Sequence, residues 1–210
     1  MDEHGLPEEF ALLVSYLAQV PDPRYARGKV HRLGSVLSLK VLGLMAGCTS
    51  LSAISRFGKL RGEVLAGLGL RRSPSVAALS RLLRMVSAKA VRQRLLEFVR
   101  ELHAQRGEGP IRTGALDGKV VSGVWEGDKQ LHMMQVFARE GCLALDGMVV
   151  KEGAGEIAGA REWVRAISKE FPALKVLTGD ALLADADLCS AILEQEKKYL
   201  LRLKQTRLAC

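Results

Sequence analysis

IRTGALDGKVVSGVWEGDKQLHMMQVFAREGCLALDGMVVK, residues 111–151, changes the period of the sequence. Before it, apolar residues recur at helical spacing. Within it they alternate or cluster in short runs rich in Val, Leu, Phe and Met, as strands require. Three strands are expected, over 111–122, 131–138 and 142–151, with Arg139-Glu140-Gly141 as the turn between the last two. Such a run reads as an antiparallel meander. Downstream, a helix over 156–170 ends at Phe171-Pro172, followed by a strand over 175–178, a helix over 185–197 and a strand over 199–203. The order β-β-β-α-β-α-β predicts an α/β fold, a mixed sheet with helices packed on its faces.

Upstream, the glycines and proline of RGEGP (106–110) mark a boundary. Two domains are expected: a small helical one over 1–106 and the sheet-bearing one over 111–210. In the first, residues 8–20 carry Phe10, Leu13, Val14 and Leu17 on one face. Pro21, Pro23 and Gly28 interrupt, with Asp22-Pro23-Arg24 as a turn. An apolar helix over 33–47 is the expected centre of the core. Another starts near Ser50 or Ser52, and Gly62, Gly67 and Gly69 loosen the next segment. Ser73-Pro74-Ser75 signals a helix start, with Val76, Leu79, Leu82, Leu83 and Val86 inward. Ser87 opens the last helix, with Val91, Leu95, Phe98, Val99 and Leu102 inward.

The 210 residues are 48% hydrophobic, enough to bury a core and too apolar for a disordered tail. The net charge of +8 is unevenly spread. Residues 1–110 hold 17 basic and 9 acidic side chains, whereas 111–210 hold 14 of each. Between Arg56 and Arg106, 12 basic residues meet three acids. This asymmetry points to double-stranded DNA as a partner. Arg71, Arg72, Arg81, Arg84, Arg92 and Arg94 are the candidate phosphate contacts; the alternative is a set of solvated helix faces. The four cysteines form no CxxC pair, which disfavours a disulfide framework and fits the cytoplasm. The acidic N-terminus is unlike a signal peptide. The most apolar stretch, 33–54, carries Lys40 and falls short of a membrane span.

Two acids carry the candidate chemistry. Asp117 interrupts an apolar strand, where a carboxylate is costly unless paired or metal-bound; the alternative is an Asp-Gly hairpin turn. Asp180 follows the apolar KVLTG and precedes a helix, where open α/β sheets hold ligand groups; the alternative is a helix cap. Side by side, the two would repel unless a cation lay between them. Mg2+ or Mn2+ suits such oxygen donors. A two-metal phosphoryl-transfer site needs a third carboxylate, and Glu156 is the candidate, though an acid in the first turn of a helix is common on dipole grounds alone. Asp185, Asp187, Glu194 and Glu196 read as surface, and Asp146-Gly147 as a mid-strand bulge or turn. Trp163 reads as packing. The histidines make no zinc pair, and neither a P-loop nor GxGxxG is present.

In order along the chain, DPRYARGKVHRLGSVLSLKVLGLMAG, SLSAISRFG, ALDGK, HMMQVFAREGCLAL, KEGAGEI, LTGDAL and KKYLLRLK resemble the motifs of bacterial insertion-sequence transposases, the group that includes the H-repeat-associated proteins. The resemblance covers nearly all of residues 10–204. It implies a ribonuclease-H-like catalytic domain, DDE-type strand transfer on DNA, and Asp117 and Asp180 as metal ligands. Lys119 and Lys204 fall in the matching motifs and are accessory candidates. Leu183 stands where the family usually has His, and QTRLAC comes after Lys204 where Gly-Asn-Gln is usual. The chain therefore reads as a truncated copy without the third ligand. The competing reading is a non-catalytic DNA-binding module, a repressor acting alone or in oligomers with a full-length transposase.

Overall fold

The computed structural model describes residues 7–25, 29–126, 129–150, 154–180 and 183–202. Contacts divide the chain into two units, meeting between Leu102 and His103. Each has its own core.

The first unit is helical: α1 (Glu8–Ala18), α2 (Leu33–Met45), α3 (Leu51–Leu60), α4 (Gly62–Gly67), α5 (Val76–Met85) and most of α6 (Ala88–Gln105). Serines set three of the starts. Ser50, Ser75 and Ser87 each accept a hydrogen bond from the backbone N–H three residues on, at 3.1–3.2 Å, which satisfies one orphan donor per helix. Of the two candidate caps for α3, Ser50 is the one used. Leu17, Leu39, Ile54 and Leu79 are almost wholly buried at the centre. The core differs from the expected one at two positions. Val76 is exposed, because it lies in the first turn of α5, whose core contacts begin at Leu79. Leu96, unassigned by the periodicity, is buried on α6. The glycine-rich stretch 62–67 closes into the short helix α4 rather than a loop, with Leu65 buried to hold it.

The second unit is a five-stranded sheet of order β3-β2-β1-β4-β5, with β1 (Thr113–Glu126), β2 (Lys129–Ala138), β3 (Leu143–Val150), β4 (Val176–Gly179) and β5 (Lys198–Leu201). β1, β2 and β3 form the expected antiparallel meander; β4 and β5 run parallel to β1. A 3-10 turn over Glu140–Cys142, with Gly141 at φ 73°, makes the β2–β3 connection. The β2–β3 register shifts beside Asp146, so the Asp146-Gly147 stretch belongs to a bulged strand. β1 extends beyond the expected end at residue 122 to Glu126, across a second irregularity.

α7 (Ala154–Glu170) and α8 (Ala186–Glu194) pack against each other. Strand positions Leu116, Met134, Val136 and Leu177 are buried, as are Trp163, Val164 and Ile167 of α7. The alternate positions Ala115, Asp117, Gln135 and Thr178 are half-buried or exposed. The sequence predicts helices on both faces; among the described residues only one face is buried, as a meander sheet permits.

Gly34 is where backbone approaches a glycine most closely among the described residues of the helical unit. A methyl group there would lie 2.6 Å from the Ala18 Cα of α1. Alanine would gain up to about 1 kcal/mol of helix propensity, but backbone must move to admit it. Gly34→Ala is expected to destabilise by a net of about 1–3 kcal/mol, read as a lower thermal midpoint by circular dichroism.

Candidate functional site

The site arises from how β4 meets β1. Thr113, Gly114 and Ala115 pair in register with Val176, Leu177 and Thr178. Carried on two residues, that register sets Asp117 opposite Asp180, which directly follows β4. Parallel neighbours in register face the same side of a sheet, about 4.8 Å apart. Both aspartates fall on the unburied side: Asp117 is half-buried and Asp180 exposed. On the other edge of Asp117, β2 presents Gln135 as its partner.

The geometry answers the competing reading of Asp117 and shows which acid caps α8. Asp117 is mid-strand, paired with Gln135, and not in a hairpin turn. Asp180 does not cap α8; Asp185 does, accepting from the Asp187 and Leu188 N–H groups at 2.9 and 3.1 Å. Leu183 lies within 3.1 Å of where a Gly179 Cβ would be, on the apolar side with Leu201. It therefore stands off the carboxylate side of the sheet.

Several other acids of this unit have partners elsewhere. Asp146 Oδ2 accepts a 2.6 Å hydrogen bond from the Trp163 indole, so Trp163 packs rather than stacks on a base. Arg161 meets Asp187 at 3.5 Å and Arg165 meets Glu194 at 2.8 Å, tying α7 to α8. Glu156 sits in the first turn of α7 and Lys119 on β1; the placement of their side chains, like Lys204 altogether, lies outside the described residues. No cluster of three or more metal-ligating side chains occurs among the described residues. The paired carboxylates fit a hard divalent cation by donor type.

The basic candidates fall in the helical unit. Arg71 and Arg72 are exposed in the turn before α5, and Arg81 and Arg84 are exposed along it. Arg84 donates to Ser80 Oγ at 2.7 Å. Arg92 and Arg94 are half-buried on α6. Arg94 is engaged by Glu97 at 2.5 Å and Gln19 at 3.3 Å, so much of its charge is compensated locally. Two serine hydroxyls fix the turn carrying Arg71 and Arg72: Ser55 donates to the Pro74 carbonyl and Ser73 to the Ser55 carbonyl, each at 2.8 Å.

Arg24 escaped the charge argument, because a lone arginine in a turn carries no periodic signal. It donates to both oxygens of Asp22, at 2.9 and 2.8 Å, and to the His31 carbonyl at 2.7 Å. The Arg24 hydrogen bond holds the Asp22 carboxyl down at about 2; burial opposes it, while the Arg24 N–H and the charges of Arg24 and Lys29 add to it.

The chain is similar to several known proteins. Residues 14–99, within the helical unit, match the model of a domain described as DDE_Tnp_1-associated. "Putative transposase YncI" of Escherichia coli strain K12 is 27% identical over 198 residues, spanning 91% of this chain and 77% of its own length. Its counterpart in E. coli O157:H7 is equally similar, over 49% of its own length. "H repeat-associated putative transposase YhhI" of strain K12 is 21% identical over 204 residues, spanning 95% of this chain and 52% of its own. The chain thus spans about half the length of two of these three relatives. A cryo-EM structure titled as a piggyBac transposase synaptic complex with hairpin DNA overlaps 96% of this chain and 49% of that one, at 13% identity and a TM-score of 0.37, a likeness too slight to bear on the fold.

A depressed carboxylate stabilises the fold above its unfolded pKa and loses that effect as pH falls through its folded one. Asp22→Asn is therefore expected to cost on the order of 1–2 kcal/mol at neutral pH. The difference from wild type should shrink between about pH 4 and pH 2, as urea melts across that range would register.

Proposed function

We infer that this chain, a relative of bacterial insertion-sequence transposases of the H-repeat-associated type, is a transposase-derived DNA-binding protein. Its helical unit grips double-stranded DNA, and its sheet is a partial ribonuclease-H-like domain with Asp117 and Asp180 as the ligands of Mg2+ or Mn2+. One observation carries the reading: β1 and β4 pair in parallel with Ala115 opposite Thr178, in a sheet of order β3-β2-β1-β4-β5, and that register, continued two residues, brings Asp117 and Asp180 to the open side. The domain match over residues 14–99 supports the assignment of the helical unit. No helix among the described residues is long and apolar enough to cross a membrane.

Asp117 and Asp180 repel each other across neighbouring strands, and a divalent cation relieves that repulsion. A bound ion would supply charge stabilisation at a phosphoryl group undergoing transfer. Gln135, beside Asp117, offers an amide to orient the carboxylate. Holding a scissile phosphate in fixed register needs a further acidic ligand, and misplacement by about 1 Å costs on the order of a hundredfold in rate. Glu156 is the acid to test for that place. On the two carboxylates that the described residues bring together, the reading is DNA binding without cutting at a useful rate. That is the behaviour of a repressor, alone or in mixed oligomers with a complete transposase.

Mn2+ titration followed by water-proton relaxation should give weak binding that is lost in both Asp117→Asn and Asp180→Asn. Duplex binding should weaken with salt by about 0.9 in log K per log unit for each neutralised phosphate, and Asp117→Asn should not change it. A double Arg81→Glu, Arg84→Glu variant should lower duplex affinity at least about tenfold at low salt. Nicking assays with Mn2+ on element-end DNA should show wild type and Asp117→Ala equally inactive. End-specific nicking abolished by Asp117→Ala would overturn the non-catalytic part of this reading and call for Glu156→Gln next.

A further inference from the structure

A cavity of about 540 Å3 opens in the helical unit, lined by the loop around Arg24 and His31, the turn at Arg72, and α5. Its volume is that of a small-molecule site rather than a single ion. No acidic side chain lines it. Arg24 is held by Asp22 and the His31 carbonyl, and so serves as framework. Arg72 and Arg81, both in the lining, are exposed and make no hydrogen bond or ion pair among the described residues. His31 reports the resulting field: burial first, then the charges of Arg72 and Arg24, push its imidazole below the usual value. Apart from Ser73 and Ser75, the rest of the wall is apolar. Leu82 is buried there, and Val30 and Met85 are exposed at 66% and 52%. The turn bearing Arg72 is anchored by the Ser73 and Ser55 hydroxyls, so the cavity has a built edge.

Two unpaired guanidiniums beside an apolar wall suit a molecule with an anionic end and a flat, weakly polar body. We propose that this cavity takes one unpaired nucleotide of a DNA strand, its phosphate between Arg72 and Arg81 and its base against Met85 and Leu82. The proposal rests on the DNA-binding reading and deepens it. A base within an intact duplex is stacked and paired, so it enters only if extruded, which is easiest at an overhang or an opened end. The helical unit would then distinguish frayed or processed DNA ends from continuous duplex. Arg84 lies outside the lining and contributes phosphate attraction without discrimination.

The test is fluorescence anisotropy with the full chain and two labelled duplexes of equal charge, one blunt and one with a single unpaired terminal nucleotide. Free deoxynucleoside monophosphate serves as competitor. The overhang should bind about tenfold tighter, the scale of a charge-assisted contact plus base packing. That ratio should fall towards one in Arg72→Gln, Arg81→Gln and Met85→Ser. Arg84→Gln should weaken both duplexes equally and keep the ratio. The monophosphate should compete away the overhang preference alone if the pocket recognises the nucleotide itself. Equal binding of both duplexes by wild type, or a ratio unchanged in Arg72→Gln and Arg81→Gln, overturns the proposal and leaves duplex binding standing. Failure to bind either duplex overturns the DNA-binding reading with it. Because the two arginines and Met85 are exposed, unchanged circular dichroism is expected of the variants.

Discussion

The parallel pairing of β1 with β4 is the constraint on which the sheet unit depends. It joins an antiparallel meander to two helix-linked strands, and it aligns two carboxylates that are 63 positions apart in the chain. Gly114 permits the approach: a Cβ there would meet Leu177 and Val136 at 3.0 Å and Leu174 at 3.3 Å. The strand can therefore lie flat on a fully buried apolar layer, Val136, Leu174 and Leu177, while its opposite side stays open. A period of two then does the rest, sending Leu116 down into that layer and Asp117 up. Asp117 therefore stands over a buried apolar floor.

The helical unit achieves its rigidity differently. Two side-chain hydrogen bonds tie distant positions together: Ser55 donates to the Pro74 carbonyl, 19 positions away, and Ser73 to the Ser55 carbonyl, 18 away. Gly58 leaves the space these hydroxyls occupy; a Cβ there would come within 2.6 Å of Ser73 Oγ. The pair fixes the turn that presents Arg71 and Arg72 and starts α5. Electrostatics then separates framework from function. Arg24 and Arg94 have acidic partners, whereas Arg72 and Arg81 make no ion pair among the described residues. A surface that retains unpaired cations forgoes local ion pairs for long-range attraction to an anion.

Local signals made most of this fold legible. Ser50, Ser75 and Ser87 announce their helices because capping needs only a neighbouring N–H, and the strand order comes from short apolar runs between turn residues. Features that depend on distant partners were not legible. Val76 and Leu96 fit either side of a periodic pattern, and only the packing of the neighbouring helices assigns them. That one face of the sheet stays open depends on where α7 and α8 dock, which no window of sequence encodes. The aspartates stood out because acids at the ends of apolar strands are conspicuous. The cavity did not, because its walls come from three segments that no single motif spans.

The central claim is that Asp117 and Asp180 form one cation site. Its most direct measurement is a crystal of the chain grown with Mn2+ and probed by anomalous scattering. The expected result is a peak bonded to carboxylate oxygens of both residues at about 2.0–2.2 Å, on the open side of β1 and β4. Carboxylates more than about 10 Å apart, or a peak that touches neither aspartate, would contradict it, since a shared two-metal site spans only about 4 Å between its ions.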